Sequence, residues 1–147
     1  MNNGTQSLQG APKRDRASYI GAPEMFELNE ACKLVNGAFR SDGFGCYLVG
    51  SSLYKRDFRD VDVRYIMADD KFEAWFGAGT RHFVTPEYWA RWSFLCIVIS
   101  RWLEARTGLH VDFQFQPQTW ANEKYSSKAG HYRNALGHSF DGPGDRP

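Results

Sequence analysis

Two aspartates, Asp60 and Asp62, stand two positions apart in the segment DVDVRYIM, which begins as an alternation of polar and apolar residues. Such an alternation predicts a β-strand, on which residues two apart point to the same face. Their carboxylates would lie about 6 to 7 Å apart along the backbone, close enough to share a hard cation. A strand with a solvated polar face shows the same pattern, so the pair alone has two interpretations.

A third aspartate, Asp112, lies on the polar side of the later alternating segment VDFQFQ. If the two segments are neighbouring strands, Asp60, Asp62 and Asp112 share one face, and we expect them to repel each other in the metal-free protein. Ion binding explains such an arrangement more easily than stability does. Mg²⁺ or Mn²⁺ is the predicted cofactor, because Mg²⁺ takes one or two protein carboxylates and completes its octahedron with water and substrate phosphates.

A glycine and two serines follow the short apolar run CYLV. Gly50 lets the backbone approach a bulky anion, and Ser51 and Ser52 offer hydroxyls and amides to phosphate oxygens. By itself this pattern is typical of a turn. Four basic residues lie nearby in the sequence: Lys55, Arg56, Arg59 and Arg64. They could neutralise a triphosphate or form a solvated basic loop. Arg64 is the strongest candidate for phosphate binding, because it shares the strand face of the aspartates.

The elements that must position these residues follow from hydrophobic periodicity. Helical spacing predicts helices at 23–39, 69–76 and 120–125, and a long helix from Thr85 as cap to Gly108, with a core stripe of Trp89, Trp92, Cys96, Ile99 and Leu103. Strands are expected at 46–49, 60–67 and 110–116. The predicted fold class is α+β, with a small mixed sheet flanked by helices.

Length and composition indicate one soluble domain. The chain has 147 residues and a formal net charge of +1, and it contains no long uninterrupted apolar run, so we expect no membrane span and a cytoplasmic protein. The three cysteines lie far apart, which favours reduced, buried thiols. Residues 1–22 are expected to be a flexible tail, 23–125 the domain, and 126–147 an irregular C-terminal segment.

Taken in order, these features resemble the nucleotidyltransferase superfamily of the polymerase beta type. The pattern of that family begins with a hydrophobic residue, then Gly, then either Gly or Ser. A spacer, Asp-x-Asp or Asp-x-Glu, and later a lone Asp follow. The corresponding segments here are VGS, DVDV and VDF. The spacer is at or just below the short end of the family's range. The segments VGSSLYKRDFRDVDVR, VDFQFQ and YRNALG also resemble small nucleotidyltransferases of phages and prophages.

The resemblance implies a nucleotidyltransferase fold and transfer of a nucleoside monophosphate from a nucleoside triphosphate such as ATP to a hydroxyl, with release of pyrophosphate. Asp60 and Asp62 would be metal ligands, and Asp112 would be both ligand and base. The acceptor would be protein, RNA or a small molecule, and the short chain favours a macromolecule or one presented by a partner protein. Arg133 and Asn134 are further candidates for contacting the nucleotide or acceptor.

A second function stays open. The same fold could serve as a noncatalytic module that binds nucleotide or nucleic acid, with vestigial carboxylates. The presence of all three aspartates argues against this alternative.

Overall fold

The sheet of this α+β protein is mixed, has four strands and is flanked by helices, as the sequence predicts. It is seen in a computed structural model that describes residues 18–77, 84–125 and 132–138. The described helices are α1 (Ala22–Ala38), α2 (Asp69–Phe76), α3 (Trp89–Thr107) and α4 (Gln118–Lys124). The strands are β1 (Gly43–Val49), β2 (Val61–Met67), β3 (Val111–Pro117) and β4 (Asn134–Leu136).

The order of the strands across the sheet is β3-β2-β1-β4. Strand β1 is antiparallel to both β2 and β4, whereas β2 and β3 are parallel and are connected through α2 and α3. The alternation in β2 has the predicted orientation, because Val61, Val63 and Tyr65 are buried in the core. The opposite face of the sheet therefore carries Asp62 and Arg64.

Helix α3 fixes the edge strand β3 through side chains that bind its backbone. Ser100 Oγ accepts the Phe113 N–H at 2.9 Å, and Glu104 Oε2 accepts the Val111 N–H at 3.1 Å. Trp92 Nε1 donates to the Phe115 carbonyl at 3.0 Å. These contacts satisfy backbone groups that a parallel edge strand leaves unpaired. They also fix the position of Asp112 along the strand direction.

The start of the long helix differs from the expectation. A 3₁₀ turn at Pro86–Tyr88 precedes α3, and Thr85 makes no side-chain cap, since its hydroxyl donates to the Phe76 carbonyl instead. Trp89 is 54% exposed, so its predicted place in the core was wrong. Because α3 begins only at Trp89, this side chain lies in the first turn of the helix.

A three-residue strand, β4, lies within the segment predicted to be irregular. It pairs with β1, and Leu136 is fully buried. Asn36 connects the two strands to α1, because its Nδ2 donates to the Leu136 carbonyl at 2.9 Å and its Oδ1 accepts the Cys46 N–H at 2.8 Å. A strand of this length is too short to show an alternating pattern, which explains the difference.

Two expectations concern the environment of the chain. Cys32, Cys46 and Cys96 are free and buried, as predicted. Among the residues that the structure describes, no helix is both long enough and apolar enough to cross a membrane.

The burial of Leu136 predicts that β4 is part of the folded core. Leu136→Ala should lower the free energy of unfolding by about 2 to 5 kcal/mol, since it removes a fully buried side chain. The control is Ala135→Ser, because Ala135 is exposed on the same strand and should tolerate the change. Urea unfolding of both variants checks the prediction, and equal stabilities would show that β4 contributes nothing.

Candidate functional site

Asp62 and Asp112 face each other across the parallel pair of strands. They are register partners between β2 and β3, so the expected neighbourhood of the two strands is confirmed. Arg64 Nη2 lies 3.8 Å from Asp62 Oδ1 and 3.3 Å from Asp112 Oδ2. Asp60 is exposed immediately before β2 and is close enough to influence the titration of Asp62. The structure thus brings the three predicted carboxylates to one end of the sheet.

Gly50 brings the backbone of the turn after β1 against Asp62. Its φ is +87°, in the left-handed region that favours glycine. A Cβ atom built on Gly50 would lie 2.1 Å from Asp62 Oδ2, which no real contact allows. The glycine is therefore required both by its conformation and by the carboxylate next to it.

The turn that follows Gly50 is a 3₁₀ turn, Ser51–Leu53. The Ser51 carbonyl accepts the N–H groups of Tyr54 and Lys55 at 2.9 and 3.0 Å. Ser52 is fully buried, and its Oγ has no hydrogen-bond partner among the described residues. Of the two predicted phosphate-binding serines, only Ser51 lines the cavity beside the turn.

That cavity has a volume of about 150 Å³ and is lined by Ser51, Lys55, Asp57, Arg59, Asp60 and Asp62. It is smaller than the roughly 300 Å³ at the lower end of small-molecule sites, so it suits a phosphate chain better than a whole nucleotide. Sequence reasoning singled out all of these residues as site candidates except Asp57. Its place in the short spacer between Gly50 and Asp60 was the available signal.

Arg64, which the sequence suggested as a phosphate-binding residue, is instead buried and bound to other groups of the protein. Its side chain is only 8% exposed. Nη1 donates to the carbonyls of Asp112 and Val63 at 2.6 and 3.2 Å, and Nε donates to the Tyr125 hydroxyl at 3.4 Å. Nη2 donates to the Asp112 carboxylate and forms the ion pair with Asp62. Four of the five N–H donors of the guanidinium therefore make hydrogen bonds, and the fifth belongs to Nη2, which forms the ion pair with Asp62.

The electrostatics of Asp62 reflect this surrounding. Burial raises the pKa of the Asp62 carboxyl, the Arg64 guanidinium opposes that rise, and the negative charges of Asp112 and Asp60 add to it. Lys124 on α4 also lowers the pKa. The expected repulsion among the carboxylates is therefore present, but Arg64 relieves part of it.

Arg133 lies on the same face of the sheet, away from the cavity. Its guanidinium is 5.6 Å from the centre of the Tyr47 ring, and Nη2 donates to Asn122 Oδ1 at 2.7 Å. Tyr47 is the register partner of Arg64, which places Arg133 one strand away from the carboxylates. Asn134 is in β4, opposite Leu48. Neither residue lines the cavity.

The donor set at Asp62 and Asp112 suits a hard divalent cation. Within 18–77, 84–125 and 132–138, no three His, Cys, Asp or Glu side chains stand preassembled around one point as metal ligands. Mg²⁺ needs fewer, because one or two carboxylates with water and phosphate oxygens complete its shell. Asp62 and Asp112 can supply those two, with Asp60 at the rim.

Comparison of the chain with known protein families, with curated proteins and with solved structures finds no match.

The contact between Gly50 and Asp62 predicts a strong coupling between these positions. Gly50→Ala should destabilise the protein more than Gly108→Ala, which also has positive φ but has nothing within 4 Å of the added Cβ. The control should lose about 1 to 2 kcal/mol through backbone strain alone. In an Asp62→Ala background, Gly50→Ala should cost less. Denaturant unfolding of wild type, Gly50→Ala, Asp62→Ala and the double variant measures the coupling. Strictly additive costs would contradict the close approach.

The raised pKa of Asp62 predicts a specific pH dependence in EDTA. A carboxyl whose folded pKa lies above its ordinary value of 3.8 destabilises the fold once it ionises, and contributes nothing where both states are protonated. Asp62→Asn should therefore gain melting temperature relative to wild type as pH rises from 3.8 to neutrality. Thermal unfolding across that range tests this. A difference that is constant with pH, or that shrinks as pH rises, would exclude it.

Proposed function

We propose that this protein is a metal-dependent nucleotidyltransferase, which transfers a nucleoside monophosphate from a nucleoside triphosphate to a hydroxyl acceptor and releases pyrophosphate. The observation that carries the proposal is the packing of the Gly50 turn against Asp62, with Asp112 in register beside it. A turn that offers phosphate-binding groups thus directly adjoins the Asp62 carboxylate, whose register partner is Asp112. The resemblance of the ordered motifs to the polymerase beta type superfamily agrees with this assignment.

The triphosphate would occupy the cavity beside the turn. Ser51 offers a hydroxyl there, and Lys55 and Arg59 offer positive charge for the β and γ phosphates. Both basic residues are exposed, so they can meet a ligand without losing an internal partner. The α phosphate would then lie toward the Asp62 side of the cavity.

Mg²⁺ or Mn²⁺ would be held by Asp62 and Asp112, with Asp60 at the rim. When bound, the cation neutralises charge on the phosphate oxygens and polarises the reacting phosphoryl group. Asp62 and Asp112 would orient the phosphate end of the nucleotide through the cation. The backbone of the Gly50 turn would lie close to the same phosphates.

Asp112 is the proposed base. Its side chain is 45% exposed, compared with 25% for Asp62, so it is the more accessible of the two to an acceptor. The acceptor oxygen forms a bond to the α phosphorus while the bond to pyrophosphate breaks, and Asp112 accepts the hydroxyl proton. The acceptor would be protein, RNA or a small molecule, and a partner protein could present it. We place the protein in the cytoplasm, which suits its buried free thiols.

The position of Arg64 favours one alternative. A guanidinium between two carboxylates supplies positive charge where a metal would, as in a noncatalytic module that binds nucleotide without chemistry. Such a module would bind a nucleoside triphosphate equally well with and without a divalent cation.

The proposed function predicts metal-dependent binding and transfer. Calorimetry should detect ATP or another nucleoside triphosphate with Mg²⁺ or Mn²⁺ but not in EDTA, because the carboxylates repel phosphate until a cation is bound. Incorporation of labelled nucleotide into acceptors of a phage-host lysate should fall by roughly a hundredfold or more in Asp112→Asn.

Asp70→Asn is the matched control for this experiment. Asp70 is exposed at the far end of β2, at the start of α2, so the variant should transfer nucleotide like wild type. Equal nucleotide affinity in EDTA would refute the metal-dependent enzyme and support the noncatalytic module. An Asp112→Asn variant with full transfer would remove Asp112 from the chemistry.

A further inference from the structure

Arg64 lies between the two carboxylates that the proposed function assigns to a metal. It is on the same strand face as Asp62, two residues along, and its Nη2 is within 4 Å of a carboxylate oxygen of each aspartate. A divalent cation at Asp62 and Asp112 would therefore bind next to a fixed positive charge. The two formal negative charges of the pair are already half balanced in the free protein.

The guanidinium is held in place from three sides. The carbonyls of Asp112 and Val63 accept from Nη1, and the Tyr125 hydroxyl at the end of α4 accepts from Nε. Leaving this position would strand buried acceptors and remove a nearly buried charge from its partners, both of which are unfavourable. Arg64 is consequently a permanent part of the site, and four of its five N–H donors are already used within the protein.

We propose that Arg64 is a positioning residue that holds Asp62 and Asp112 as a half-neutralised pair, so that a free divalent cation binds weakly until a nucleoside triphosphate brings one in. The proposal rests on the proposed function and specifies how that site is loaded. A triphosphate carries several negative charges, which offset Arg64 and supply the remaining oxygen ligands. The preferred ligand is then the metal–nucleotide complex rather than the free ion.

The test is a titration of the full chain with Mn²⁺ alone, without nucleotide. Wild type should bind with a dissociation constant weaker than about 100 µM, in the range of weak carboxylate sites. Arg64→Gln should bind Mn²⁺ at least about tenfold more tightly, because it removes the adjacent positive charge. Arg64→Lys keeps a charge there and should remain as weak as wild type.

Arg40→Gln is the matched control for loss of one positive charge. Arg40 is exposed in the 3₁₀ turn Arg40–Asp42, away from the carboxylates, and this variant should bind Mn²⁺ like wild type. Circular dichroism establishes that each variant is folded. If Arg64→Gln does not fold, Arg64→Met replaces it, and the wild-type titration still decides, since a dissociation constant below about 100 µM overturns the proposal.

The outcomes separate this inference from the proposed function. Nucleotide transfer by wild type together with unchanged Mn²⁺ affinity in Arg64→Gln would overturn the inference and leave the enzyme standing. A tightened Mn²⁺ site in Arg64→Gln with no transfer by wild type would support the role of Arg64 and refute the enzyme. Equal tightening in Arg40→Gln would also overturn the inference, because net charge alone would explain it.

Discussion

The parallel register between β2 and β3 is the constraint on which the candidate site depends. It sets Asp62 opposite Asp112, and Arg64 links the two strands through the Asp112 backbone and side chain. On the outer side, Ser100 and Glu104 of α3 bind the backbone of β3 and prevent it from sliding. A shift of one residue would turn Asp112 into the core and Phe113 into the site.

Of the two paired carboxylates, Asp62 is in the less favourable environment for a negative charge. It is the more buried of the two paired carboxylates, it adjoins two other negative charges, and the Gly50 turn presses against one of its oxygens. The fold tolerates it because Arg64 is buried with it. Groups that are held in unfavourable surroundings by the rest of a structure are common at functional sites.

Local patterns predicted most of the fold. The alternation in β2 and β3 placed Val63 in the core and Asp62 on the polar face, because side-chain direction in a strand follows from position alone. The same rule placed Arg64 on the polar face but missed its burial, which comes with tertiary contacts such as the one to Tyr125. The close approach of Gly50 to Asp62 and the short strand β4 have no signal in the neighbouring sequence, because both depend on how distant segments pair.

The contacts of α3 with β3 also bear on how copies of this chain meet each other. A parallel edge strand normally exposes a row of backbone donors and acceptors that another chain can extend, which is a route to aggregation. Here the side chains of Trp92, Ser100 and Glu104 occupy that row. At the other edge β4 offers only three residues. For the sheets of two molecules to join at β3, helix α3 would have to be displaced, and at β4 only three residues could pair. The contacts that align the carboxylates therefore also disfavour edge-to-edge assembly.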